Sequence, residues 1–213
     1  MTQLMVRVKI CGITNPEDAL FAVAQGVDAL GFIFYEPSPR YVDPECVSEI
    51  VSQLPPFVTP VGVFVNTARE EILEIARSTG IQAVQLHGDE TPADCLGYPF
   101  PVVRALRVGD GFDPVSLNDF PVDTFLLDTA KKGWYGGTGE TFDWQIARAA
   151  TAHGRIILSG GMDASNVADA VRMVNPYAVD CGSGVEAAPG RKDHDRIRGF
   201  LRAVRSVDHS ARV

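Results

Sequence analysis

Eight short apolar, β-rich runs alternate with helix-like segments along this chain, and that alternation leaves few folds open. The runs fall at 6–11, 29–34, 60–65, 83–87, 102–107, 124–128, 155–159 and 178–181. Most are continuously apolar, the pattern of parallel strands buried on both faces. Helix starts separate them. Asn15-Pro16-Glu17-Asp18 sets a capping side chain before a proline and an acidic first turn. Asp43-Pro44-Glu45 and Thr91-Pro92-Ala93-Asp94 repeat the pattern, and Gly26 and Gly80 stand where helices often end in a left-handed residue. The segments after Thr91 and Asp113 predict only short helices.

Eight such units in 213 residues average about 27 residues each, enough for a compact closed (β/α)8 barrel. An open doubly wound sheet is the alternative, but it gathers its ligand at one switch point. Here candidate polar groups end strands around the whole chain. The expected architecture is therefore α/β: a single (β/α)8 barrel domain over residues 1–213, its sheet parallel, eight-stranded and closed.

A hydrophobic content of 46% supports one well-buried core. No apolar run approaches the roughly 20 residues that span a bilayer, and the N-terminus lacks the pattern of a signal peptide; a cytoplasmic location is expected. The four cysteines, at 11, 46, 95 and 181, form no CxxC pair, and the four histidines are scattered, so no zinc signature is present. The net charge of −8 disfavours nonspecific binding to nucleic acid or anionic membranes. The longest polar stretch, 131–141, contains Trp134 and Tyr135 and reads as a functional loop.

Chemistry gathers at the strand ends. Cys11 ends the first strand beside Lys9 and Gly12, on the carboxyl edge where parallel α/β folds bind ligands. A thiol there can serve as nucleophile or general base, although buried filler is the commoner role of a cytosolic cysteine. Asp128 ends the sixth strand, where desolvation would favour its protonated form and suit it to general-acid work; capping the next loop is the other reading. Strands seven and eight run into Ser159-Gly160-Gly161 and Cys181-Gly182-Ser183-Gly184, matched glycine clusters that suit a phosphate. Arg40, between prolines in Pro37-Ser38-Pro39-Arg40, offers a planar fork for a carboxylate. His87 ends strand four and either contacts ligand or bonds a neighbouring loop. Lys9 is expected to support the charges of Cys11 and Asp128, with Asp180 or Arg104 as its counterpart or as barrel-layer groups. Cys46, Cys95 and Cys181 read as packing residues, and Arg191-Lys192 as the solvated start of a C-terminal helix.

In series these stretches resemble the phosphoribosylanthranilate isomerase family of tryptophan biosynthesis. The matches are VKICGIT at 8–14, DALGFIF-x-x-x-SPRYV at 28–42, VGVFVN at 61–66, VQLHGDE at 84–90, LLDT at 126–129, GGTGETFDW at 136–144, LSGGM at 158–162 and GSGVEAAPGRKD at 182–193. They run in order over nearly the whole chain. The resemblance implies a (β/α)8 barrel and an Amadori rearrangement that needs no cofactor and no metal. It further implies Asp128 as general acid, Cys11 as general base, and Arg40 on the anthranilate carboxylate. Backbone amides around Gly160, Gly161, Gly182 and Ser183 would hold the phosphate. The implied partner is a small phosphosugar substrate, with no nucleic acid or membrane, in a monomer or homodimer. One departure stands out: similar proteins usually carry serine where this chain has Gly182. Indole-glycerol-phosphate synthases resemble a lysine–glutamate chemistry and the histidine-pathway isomerases an aspartate pair, so the cysteine–aspartate pair argues against both. A bifunctional isomerase would lack the Cys11 motif, and a noncatalytic phosphometabolite binder would need neither Cys11 nor Asp128.

Overall fold

The computed structural model describes residues 5–109, 111–129 and 143–210. Eight parallel strands close into a barrel in sequence order: β1 (Arg7–Cys11), β2 (Ala29–Ile33), β3 (Thr59–Phe64), β4 (Ala83–Leu86), β5 (Val102–Val108), β6 (Thr124–Thr129), β7 (Arg155–Leu158) and β8 (Ala178–Cys181). The seam is the β1–β8 pairing, with Lys9 opposite Asp180. The open-sheet alternative is excluded by that closure. Predicted and observed strands agree within a residue at each end.

Six α-helices are described: α1 (Pro16–Ala24), α2 (Pro44–Ser52), α3 (Arg69–Thr79), α4 (Trp144–Ala150), α5 (Val167–Val174) and α6 (His194–Ser210). Between β4 and β5, and between β5 and β6, only the 3-10 turns Pro92–Cys95 and Pro114–Asp119 stand in the outer layer, as the weak patterns there predict. The expected helix ends also appear. Asn15 accepts from the Asp18 amide to cap α1. Gly26 and Gly80 take φ values of 82° and 74°, in the left-handed region after α1 and α3. A hairpin of β9 (Glu186–Ala188) and β10 (Arg191–Lys192) occupies the stretch before α6.

Strand pleating sorts the side chains into two sets. One set packs outward against the helices in a large cluster that includes Ile10, Leu30, Phe32, Phe64, Phe125 and Leu127. The other, Val103, Ala105, Leu126, Ile157 and Ala178, forms a separate small cluster inside the barrel. Burying each fully enclosed Phe or Leu contributes about 1.5–3 kcal/mol. The same period of two carries every second residue up the inner wall, from Lys9 to Cys11, Gln85 to His87, Leu126 to Asp128 and Ala178 to Asp180. Their common destination is the mouth at the carboxyl ends of the strands.

Candidate active site

That mouth holds a cavity. Cys11, Arg40, His87, Asp128, Gly160, Gly161, Gly182 and Ser183 all line it, so the residues singled out in the sequence meet in one place. Ile33, Val63 and Val65 supply an apolar wall, and Tyr35, Gln85, Ser159 and Asp180 further polar groups. The loop at 131–141 lies outside the described residues.

Cys11 is buried beside Lys9. Burial raises its thiol pKa, while the charge of Lys9 and, more weakly, that of Lys192 pull it down; Asp180 opposes them. Gly31 makes room for this arrangement, since a Cβ there would stand 2.7 Å from the Cys11 Sγ and 3.0 Å from the Lys9 Nζ. The Lys9 Nζ donates to Asp180 Oδ1 at 2.8 Å. Although burial works against its charge, Asp180 and Cys11 hold the Lys9 pKa above the usual lysine value. Ser159 Oγ donates to the other Asp180 oxygen at 3.3 Å.

Asp128 is reached from a different side. Its Oδ1 accepts from the Thr129 amide at 2.8 Å, and its Oδ2 lies 3.4 Å from His87 Nε2. The His87 Nδ1 contacts Gln85 Nε2 at 2.7 Å. If Nδ1 accepts there, the ring proton sits on Nε2, toward Asp128. The lysine thus couples to Cys11 and pairs with Asp180, one of the counterparts the sequence reading names.

The two glycine loops lie against each other. A Cβ at Gly184 would stand 2.0 Å from the Met162 carbonyl oxygen, so only glycine permits this approach. Gly160 has φ +80°, and a Cβ there would overlap Thr129 and crowd Asp128. Gly182 is different. A Cβ would meet the Cys11 carbonyl at an ordinary 3.6 Å, so there is room for a side chain at this position.

Two expectations need correction. Arg191-Lys192 does not start a helix but forms β10; Arg191 is exposed, as the solvated reading expects, whereas the Lys192 side chain is 0% exposed. Its Nζ donates to the Cys11 carbonyl (2.7 Å), to Glu186 Oε1 (2.8 Å) and to the Gly182 carbonyl (3.3 Å). Arg104 is no partner of Lys9. It sits on the outward register of β5, bonded to Glu90 and to the carbonyls of Leu86 and Gly88. Sequence reasoning missed Glu186 and Gln85; a polar residue inside the apolar run Ala83–Leu86 was the available signal for Gln85.

The model of the N-(5'-phosphoribosyl)anthranilate isomerase family matches residues 8–203. The chain belongs to that family. It is 52% identical over 206 residues to the N-(5'-phosphoribosyl)anthranilate isomerase of Trichlorobacter lovleyi, a match covering 95% of this chain and 100% of the relative. The crystal structure of phosphoribosyl anthranilate isomerase from Thermotoga maritima is similar with a TM-score of 0.87 and 46% identity, over 95% of this chain and 100% of that one. Another similar structure (TM-score 0.84, 45% identity, the same coverage) is a phosphoribosyl anthranilate isomerase in complex with reduced 1-(o-carboxyphenylamino)-1-deoxyribulose 5-phosphate. Family membership makes this chain an enzyme, an isomerase of tryptophan biosynthesis.

Proposed function

We propose that the cavity converts N-(5-phosphoribosyl)anthranilate to 1-(2-carboxyphenylamino)-1-deoxyribulose 5-phosphate with Asp128 as general acid and Cys11 as general base. The observation that carries this reading is that a carboxyl group, a thiol, an arginine and two glycine loops line one mouth. Asp128 protonates the ribose ring oxygen, and the ring opens to a Schiff base. The Cys11 thiolate removes the C2 proton to give an enolamine, which tautomerises to the ketone. Protons leave and return on the substrate's own carbons and oxygens, so the reaction needs no cofactor and no metal. Arg40 takes the anthranilate carboxylate, the glycine loops at 160–161 and 182–183 take the phosphate, and His87 steadies Asp128. Anchoring both ends turns binding into orientation, worth several kcal/mol of barrier.

The chain is read as one barrel domain, cytoplasmic, and a monomer or homodimer; the net charge of −8 argues against nucleic acid as a partner. Among the described residues no helix is long and apolar enough to cross a membrane.

The test is the fluorescence decay of freshly generated phosphoribosylanthranilate with Cys11→Ala and Asp128→Asn. Each should lower kcat by about 10³-fold or more, given the 10²–10⁴ usual for acid–base groups, while binding of the reduced product analogue persists. A Cys11→Ala protein with near-wild-type turnover would show that the base is assigned wrongly, and binding without turnover in the wild type would leave only a phosphometabolite binder.

A further inference from the structure

Behind Arg40 lies a charge arrangement that the reaction as written does not use. Arg40 donates from Nε to both oxygens of Glu186, at 2.9 and 3.1 Å, and from Nη2 to Oε2 at 2.8 Å. Glu186 is buried, and its Oε1 also takes the Lys192 Nζ and the Gly190 amide. Burial disfavours its ionised form, yet the Arg40 and Lys192 contacts hold its pKa below the usual carboxylate value. The stem of Arg40 lies over Gly12, where a Cβ would approach its Cδ to 2.8 Å. Ser38 Oγ accepts from its backbone amide at 3.1 Å.

A guanidinium is planar and offers two donor edges. Glu186 takes the Nε–Nη2 edge, which turns the Nη1 side away from it, on a residue that lines the cavity. Arg40 paired with Glu186 alone would be a neutral couple, a poor attractor for a substrate carboxylate. Lys192 changes that balance. Two cations share one carboxylate, so the trio keeps one net positive charge, and only Arg40 carries it to the cavity wall.

We infer that Glu186, charge-balanced by Lys192, is a positioning residue that aims Arg40 and thereby sets specificity for a substrate bearing an aryl carboxylate. This rests on the reading of Arg40 given above. Lys192 adds a second tether, because its other two hydrogen bonds fix the carbonyls of Cys11 and Gly182. The carboxylate reader, the base and the phosphate loop are thereby held by one buried ammonium.

The test compares two stable ligands, reduced 1-(2-carboxyphenylamino)-1-deoxyribulose 5-phosphate and its phenylamino counterpart without the carboxylate. Their inhibition constants are measured on the wild type, Glu186→Gln, Glu186→Asp and Lys192→Met. The wild type should prefer the carboxylated ligand by at least about tenfold, the scale of a charge-assisted hydrogen bond. Glu186→Gln should shrink that preference to within about threefold while its affinity for the phenylamino ligand stays within about twofold of wild type. Glu186→Asp, charged but shorter, should give a preference between the two, and this reduced preference is the readout should Glu186→Gln fail to fold. Lys192→Met should weaken both ligands and lower kcat as well. Equal weakening of both ligands in Glu186→Gln, or an unchanged preference, overturns the inference and leaves the Arg40 reading standing. A wild type that does not discriminate the pair sinks that reading and the inference together.

Discussion

Cys11 is governed by two opposed influences, burial raising its thiol pKa and the neighbouring lysines lowering it. As the proposed base, Cys11 must be deprotonated to act, so a raised pKa leaves less thiolate at neutral pH and the rate should climb as pH rises. We expect kcat/KM to increase through the neutral-to-alkaline range. Lys9→Met should move that limb to higher pH, because the cation favouring thiolate is gone; a pH–rate profile of both proteins reads this directly. Lost stability alone would lower the amplitude without moving the limb. Gly182 makes an opposite kind of prediction. Its backbone accepts a Cβ at an ordinary contact distance, so Gly182→Ser should fold with an unchanged melting temperature. Its added hydroxyl should leave KM equal or lower by a few-fold, as measured by steady-state kinetics with thermal unfolding alongside.

At the level of elements, the turns are held by polar groups that the hydrophobic pattern does not reveal. Glu90 accepts from the amides of Asn66 and Gly88 and from Arg104, binding the turn after β3 to the turn after β4 and to β5. Both members of that ion pair are buried, and removing one leaves the other charge uncompensated. Arg104→Met should therefore cost about 3–5 kcal/mol of stability, read as a lower midpoint in urea. A loss below about 1 kcal/mol would mean that water replaces the guanidinium. The turn between β4 and β5 can be short because Thr91 and Asp94 close it themselves: the Asp94 carboxylate accepts from the Thr91 amide and hydroxyl, which holds its pKa below the usual value.

For the whole molecule, closure demands every outer element that covers the barrel. The last helix, α6, buries Ile197, Phe200, Leu201, Val204 and Val207 and packs on α5 and α1. At about 1.5–3 kcal/mol per side chain, that burial rivals the 5–15 kcal/mol by which a domain is stable. A chain ending at residue 193 should thus lose its cooperative thermal transition, as followed by circular dichroism. A truncated protein that melts sharply near the wild-type temperature would show that the barrel closes without this cover.

The sequence by itself determined the eight-fold alternation, the strand ends at Cys11, His87 and Asp128, the cap at Asn15, and the glycine loops, because each is written in local periodicity or in a residue's own backbone freedom. Closure of the sheet was read from unit count and length together with polar residues ending strands around the whole chain, which an open sheet with one switch point does not gather. Which charges pair was decided only in three dimensions. Lys9 with Asp180, Arg104 with Glu90, and Lys192 with Glu186 and Arg40 join strand registers or hairpin and loop across the fold. Inward or outward direction on a strand depends on a register that a continuous apolar run does not display. Lys192, read as a solvated charge, is instead enclosed, because a buried ammonium is tolerable only where carbonyls and a carboxylate converge on it, and that convergence exists only once the ends of the chain have met.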